Sequence, residues 1–152
     1  MTITVHGLEE IKALAGKELG HSWWLEITQD RVNAFADATG DYQWIHVDPE
    51  RAKRGPFGAA IAHGYLTLSL VIPFFNELLD TRGVKMSVNY GLEKVRFPSP
   101  VRVGDRIRLA ATVVSVEEVA GNGVQMCLDF TVEIDGAAKP ACVARVVYRH
   151  YA

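Results

Sequence analysis

The sequence is poor in features that would point to several specialised classes of protein. It has only two cysteines, Cys127 and Cys142, and they lack the close paired spacing of a zinc site or a redox motif. We therefore expect both to be reduced core residues and predict no metal site. The formal net charge is -2, from 16 basic and 18 acidic residues, so no basic excess favours nucleic acid as a partner.

Long hydrophobic runs are also missing. The longest stretch without a charged residue is interrupted by His63, Gly64 and Pro73, and no leader-like segment opens the chain. We therefore predict no membrane span and expect a cytoplasmic protein. With 49% hydrophobic and 22% charged residues, the 152-residue chain has the composition and length of one soluble globular domain, residues 1–152.

The first third of the chain has the pattern of short helices. Apolar residues at helical spacing predict a helix over residues 7–16. Thr28 is placed to cap a second helix, which Gly40 ends. Asp48-Pro49 has the form of an N-cap followed by a first-turn proline, so a short third helix is expected there, and His46 should lie between the last two helices.

Residues 64–79 are so densely apolar that no polar face emerges, which is typical of a helix enclosed by other elements. We predict one long central helix here, bent or broken at Pro73 because proline lacks the N–H donor. The sequence then turns to β-branched and aromatic residues with glycine-containing reversals, which predicts antiparallel strands. The predicted strands are residues 22–27, 84–97, 106–119, 124–135 and 141–151. Together these elements predict an α+β fold in which a five-stranded antiparallel sheet wraps the central helix.

A carboxylate and an imidazole five residues apart, Asp41 and His46, stand in a turn-forming segment. Held close together, such a pair can deprotonate a water molecule and return a proton to a nearby carbon. A structural interpretation is open for each residue as well. Asp41 follows a helix-ending glycine, where aspartate often caps a helix or forms an Asx-turn, and His46 can be a hydrogen-bonded histidine without a chemical role.

The segment 62–65 (AHGY) falls at the expected start of the central helix. Backbone N–H groups at a helix start lack intrahelical acceptors, so the Gly64 amide could stabilise an enolate oxygen, and the missing side chain would let a ligand approach. The alternative is that Gly64 only permits close packing.

These motifs resemble the MaoC-like dehydratases, the (R)-specific enoyl-CoA hydratases. The similarity covers residues 38–52 (ATGDYQWIHVDPERA), residues 61–64 (IAHG) and residues 89–101 (NYGLEKVRFPSPV). The sequence around Gln43-Trp44 is similar to that of the NodN-like branch of the family, whereas many members have Asn-Pro at these two positions. Some members also place a serine in the acyl pocket where this chain has Ile72.

The resemblance implies a hot-dog fold, a homodimer, and reversible hydration of trans-2-enoyl-CoA to (R)-3-hydroxyacyl-CoA. It implies Asp41 and His46 as the catalytic pair and the Gly64 N–H as the oxyanion hole. No cofactor is implied, since CoA is part of the acyl-CoA substrate. Basic residues are candidates to meet its phosphates, namely Lys53, Arg54, Lys94 and Arg96. Two alternatives remain open: a hot-dog acyl-CoA thioesterase, and a non-catalytic acyl-CoA or acyl-carrier binding protein.

Overall fold

An antiparallel sheet curved around two consecutive helices forms the framework of the protein. The computed structural model describes all residues, 1–152. The strands are β1 (Ile3–His6), β2 (Glu18–His21), β3 (Leu25–Glu26), β4 (Leu79–Arg82), β5 (Met86–Arg96), β6 (Arg106–Val119), β7 (Gly123–Ile134) and β8 (Cys142–Tyr151). The helices are α1 (Gly7–Lys12), α2 (Gln29–Thr39), α3 (Trp44–Val47), α4 (Pro49–Lys53), α5 (Gly64–Ser69) and α6 (Val71–Leu78). None of them has the length and apolar character that crossing a membrane requires.

The main sheet has the order β2-β6-β7-β8-β5, and the two-residue strand β3 also pairs with β6 beyond the end of β2. All its pairings are antiparallel, as predicted. β2 and β3 follow each other along β6, so the six strands occupy five positions across the sheet. β7 shows why it forms. Its even-numbered residues from Val124 to Ile134 are all buried in the core, while the alternate residues face outwards.

The central helix is two helices rather than the single long one predicted. α5 and α6 meet at Leu70, three residues before Pro73. Pro73 therefore lies in the first turn of α6. Backbone N–H groups in a first turn have no intrahelical acceptor, so the proline costs the helix no hydrogen bond. The predicted interruption is confirmed, and it falls one turn earlier than the proline itself.

Two further features differ from the sequence predictions. Residues 22–27 were predicted as one strand, but only Leu25–Glu26 (β3) form a strand there, and β2 ends at His21, just before the predicted range. At Ser22 the hydroxyl accepts a hydrogen bond from the Leu109 N–H at 2.9 Å. The prediction is therefore confirmed only for β3, and β2 is a strand that was not predicted. The second feature is a small parallel sheet of β1 and β4, which the sequence analysis missed because its strands lie far apart in the chain.

Candidate active site

Asp41 is positioned by the end of α2. Thr28 caps the start of this helix and Gly40, at φ 78°, ends it in the left-handed conformation, as predicted. Asp41 Oδ1 then accepts a hydrogen bond from the Gln43 N–H at 3.3 Å, which is the predicted Asx-turn. The second carboxylate oxygen accepts no hydrogen bond, and the side chain is 53% exposed. The turn and a chemical role are therefore compatible in one residue.

His46 lies within α3, not between two helices as expected, and only 7% of its surface is exposed. Its Nδ1 is 2.7 Å from the carbonyl oxygen of Ile61, and its own carbonyl accepts a hydrogen bond from Gln29 Nε2 at 2.8 Å. Because a carbonyl can only accept, the neutral ring carries its proton on Nδ1. Nε2 is left with a lone pair and no protein partner, as a proton acceptor requires.

His63 is the third member of the cluster, and the sequence analysis gave it no role. It is 3% exposed, and its ring stacks on His46 with centroids 3.8 Å apart and an interplanar angle of 23°. Its Nε2 donates to the Asp41 carbonyl at 3.0 Å and lies 4.0 Å from Asp41 Oδ2. His63 thus connects the backbone of Asp41 to the ring of His46. The only sequence signal for it was its place beside Gly64.

The electrostatic environment favours a neutral His46. Burial lowers its pKa below the ordinary value of 6.5, and the nearby His63 lowers it further, while the Ile61 carbonyl and Asp41 act in the opposite direction. The net effect is downwards, so the imidazole is unprotonated at neutral pH. This is the form that can accept a proton from water.

The ligand atoms of Asp41, His46 and His63 all lie within 4.8 Å of one another, which raises the question of a metal ion. The geometry does not fit one well. The two rings stack nearly face to face, so their in-plane lone pairs run side by side instead of converging. One nitrogen of each ring is also occupied by a backbone carbonyl. The arrangement is better suited to proton transfer.

Gly64 is the first residue of α5, beside this cluster, as predicted. Its N–H has no acceptor in the protein, which is expected at a helix start. A Cβ at this position would lie 3.2 Å from the Phe97 ring. Close packing therefore accounts for the glycine, and the free amide remains available to a ligand.

The unusual Gln43-Trp44 pair has a structural explanation at Trp44. Its ring lies against Gly55, where a Cβ would come within 3.0 Å, and the Arg51 guanidinium sits 4.3 Å from the ring centroid. Asp48 caps α4 by accepting a hydrogen bond from the Arg51 N–H at 3.1 Å, which confirms the predicted capping role. Trp44 thus packs the corner between α3 and α4.

The enclosing sheet and the acid–imidazole cluster beside α5 have the features of a hot-dog hydro-lyase. A family model described as MaoC like domain matches residues 10–132. The chain belongs to this family of MaoC-like dehydratases, and it is an enzyme. Both the hot-dog fold and the family predicted from the sequence are confirmed.

Two curated relatives and one solved structure illustrate the similarity. The chain is 51% identical over 149 residues to 3-hydroxyacyl-thioester dehydratase Z of Mycobacterium tuberculosis, covering 98% of this chain and 99% of that protein. It is 43% identical over 139 residues to nodulation protein N of Rhizobium meliloti, covering 90% and 86%. The (R)-hydratase from A. caviae involved in PHA biosynthesis has the same fold, with a TM-score of 0.70 and 24% identity over 88% of this chain and 94% of that one.

Proposed function

We propose that the protein catalyses the reversible hydration of a trans-2-enoyl thioester to the (R)-3-hydroxyacyl thioester, with CoA as the carrier. The observation that carries this proposal is the unpaired Nε2 of a neutral, buried His46 beside the Asp41 carboxylate, with the ligand atoms of the two side chains within 4.8 Å. The high identity to a dehydratase of 3-hydroxyacyl thioesters supports the substrate class. The (R) configuration is part of the proposal.

The proposed mechanism begins with a water molecule between the two catalytic residues. His46 Nε2 removes one proton while the Asp41 carboxylate orients the water, and the oxygen adds to the β-carbon of the enoyl group. Negative charge moves onto the thioester oxygen, where the Gly64 N–H stabilises it. A proton then returns to the α-carbon. The elements of water are added without an electron transfer, so the prediction of no redox cofactor fits the chemistry.

The stabilising contribution of Gly64 comes from the N–H group itself. α5 has only six residues, so its macrodipole is small. A donor that serves a developing oxyanion typically contributes a few kcal/mol to transition-state stabilisation, about 3 kcal/mol in a well-studied protease. The role of Gly64 therefore rests on the placement of one amide.

The carrier phosphates would meet the basic residues on the outer face of the sheet. Lys94 and Arg96 line a depression of about 790 Å³ there, close to the Phe97 that packs on Gly64. Arg145 lines it too but is already bonded to Asp129, with distances of 2.7 and 2.9 Å. We propose Lys94 and Arg96 as the phosphate contacts, since their charges are not committed elsewhere.

The test follows the ultraviolet absorbance of the conjugated enoyl thioester with wild-type, Asp41→Asn and His46→Gln proteins. We expect each variant to lower kcat/KM by about 10²- to 10⁴-fold, as for loss of a general acid or base. Asp37→Asn is the matched control, because Asp37 is an exposed carboxylate that contacts only Tyr42, at 3.0 Å. Chiral analysis of the product tests the configuration.

The same assay separates the alternatives when free thiol is measured in parallel. A thioesterase releases CoA thiol, whereas a hydratase removes the double bond and releases none. A binding protein would bind the thioester without changing it. Absorbance loss that persists in both folded variants would contradict the proposed roles of Asp41 and His46.

A further inference from the structure

Three cavities follow one another along a single stripe of α5 and α6. Gly64 and Thr67 line the first, of about 320 Å³; Leu68 and Ile72 line the second, of about 300 Å³; Phe75 and Asn76 line the third, of about 260 Å³. These residues recur at helical spacings of three and four, so they share one face. The series begins at the candidate oxyanion amide of Gly64 and ends at Asn76. A helical rise of roughly 1.5 Å per residue puts these two residues about 18 Å apart.

On the side opposite the helices, the three cavities are lined by the edge strand β5 and by Phe97, which follows it. Phe97 lines the first cavity, Leu92 the second and Ser87 the third. β5 therefore runs past the cavities in the direction opposite to the helices. The second and third cavities share Ile72, Asn89 and Tyr148 in their linings, and the first lies next to them along the helices, beside the candidate catalytic cluster.

The far end of this series of cavities is polar, although its middle is apolar. Ser87 and Asn89 of β5 pair in register with His150 and Tyr148 of β8, and Asn76 faces the same cavity from α6. The Ser87 hydroxyl and His150 Nδ1 are 2.7 Å apart. The inner face of β8 therefore changes from apolar at Val146 to polar at Tyr148 and His150.

Two of these side chains are buried with a polar atom unpartnered. His150 is 3% and Tyr148 6% exposed, and neither His150 Nε2 nor the Tyr148 hydroxyl has a hydrogen-bond partner. Buried polar groups are normally paired, because leaving one unpaired costs free energy. Both residues line the third cavity, and their unpartnered atoms are closed to bulk water, so a ligand group that reaches them from the cavity would supply the missing bonds.

We propose that this third cavity is a distal subsite that binds a hydroxyl group carried far along the acyl chain of the thioester substrate. The proposal rests on the proposed hydratase function and names its substrate class. A hydroxyl both donates and accepts, so it can pair with His150 Nε2 in either tautomer and with the Tyr148 hydroxyl.

A carboxylate would fit less well at this subsite. Burial lowers the pKa of His150, which keeps the ring neutral at neutral pH, and no lysine or arginine lines the cavity. An anion would therefore lose its hydration without gaining an opposite charge. A neutral hydroxyl avoids that cost.

The test measures binding with saturated acyl-CoA thioesters, which cannot be hydrated. A series of medium and long chains is compared by calorimetry, each with and without a terminal hydroxyl. At the matching length we expect the hydroxylated thioester to bind the wild-type protein about tenfold more tightly than its plain counterpart. Tyr148→Phe, which removes only an unpartnered hydroxyl, should reduce that ratio towards one, and Ser87→Ala should lower it as well.

Ile72→Val is the matched control, because it changes the apolar middle and should affect both thioesters of a pair equally. Equal affinities at every length in the wild-type protein would overturn the subsite, as would a hydroxyl preference that survives both Tyr148→Phe and Ser87→Ala. Failure of the hydratase function gives a different result, namely hydroxyl-selective binding of thioesters without turnover of their enoyl forms.

Discussion

His63 decides how the two predicted catalytic residues meet. Asp41 is exposed on a turn and His46 is buried in α3, so neither residue fixes the position of the other directly. The ring of His63 bridges them by stacking on one and donating to the backbone of the other. We assign it a positioning role, since it contacts both residues of the proposed catalytic pair and is not placed to touch the reacting atoms.

We expect His63→Phe to keep the stacking but to lose the hydrogen bond to the Asp41 carbonyl, with a fall in kcat of about 10- to 100-fold through misplacement of the carboxylate. The same change removes a group that lowers the pKa of His46. The acidic limb of the pH profile of kcat/KM should therefore move to higher pH, which steady-state kinetics across the pH range will show.

His63→Gln is the matched variant, because its amide retains a donor near the Asp41 carbonyl. It should recover part of the lost kcat. Equal losses in both variants, with an unmoved acidic limb and a reduced thermal midpoint, would mean that His63 serves only the packing of the core.

The resemblance to a family singled out Asp41, His46 and Gly64, and local turn signals placed Asp41 after the glycine that ends α2. Two hydrogen bonds of His46 could not be predicted from the sequence. One joins its Nδ1 to the Ile61 carbonyl at 2.7 Å, and the other joins Gln29 Nε2 to the His46 carbonyl at 2.8 Å. Those contacts join separate segments through backbone carbonyls, which every residue carries. No residue type in the sequence marks them in advance.

At the scale of whole elements, regular periodicity was predictive and its interruptions were less so. The strict alternation along β7 predicted that strand almost residue by residue. The edge strand was predicted less well, because β2 ends at His21, while Ser22, where the predicted strand begins, bonds to Leu109 through its hydroxyl as well as its N–H. The pairing of β1 with β4 was missed for a similar reason: no local pattern specifies a partner so far along the chain.

The register between β7 and β8 leads to a prediction at Gly123. A Cβ there would come within 2.6 Å of the Tyr151 ring and 3.1 Å of the His150 carbonyl oxygen. We expect Gly123→Ala to lower the free energy of unfolding by about 1–3 kcal/mol through overpacking. Denaturant unfolding measures the change.

The double variant with Tyr151→Ala separates the two contacts. If the ring dominates, removing it should recover most of the stability lost at Gly123, giving a coupling energy of about 1 kcal/mol or more. An additive double variant would place the strain at the His150 carbonyl instead.

For the molecule as a whole, the most exposed part of the sheet is its β5 edge. Ten of the eleven residues of β5 are exposed, including Met86 at 53% and Tyr90 at 56%. An open, apolar edge strand is a template for pairing with another chain. We propose that two copies pair along β5, which would give the predicted homodimer and cover the groove between β5 and the central helices.

Light scattering coupled to size-exclusion chromatography should therefore give twice the mass of one chain. Met86→Lys combined with Tyr90→Lys should shift the equilibrium to monomer, because edge charges oppose strand pairing. Trp23→Lys removes a comparably exposed aromatic residue, at 81%, away from this edge and should leave the dimer intact. A monomeric wild-type protein would refute the pairing.

The buried histidines also make stability depend on pH. Burial lowers the pKa of both His46 and His150 below 6.5, so the unfolded chain binds protons that the native state does not. Stability should be greatest above pH 6.5 and fall as the pH drops through that value, by at most about 1.4 kcal/mol per pH unit for each histidine. Denaturant midpoints from neutral to mildly acidic pH measure the slope.

His150→Phe should flatten this slope, because it removes one of the two groups. His6→Gln is the control, since His6 is exposed on β1. A slope that is unchanged in His150→Phe would contradict the assignment.

The face-to-face contact of the His46 and His63 rings makes the site observable without any substrate. Each ring lies 3.8 Å from the other, so its circulating π-electrons shield the neighbour's carbon-bound protons. The corresponding resonances in a proton NMR spectrum should be displaced upfield from those of His6 and His21, which are exposed. The integrity of the cluster in any variant can thus be read from the spectrum before its chemistry is assayed.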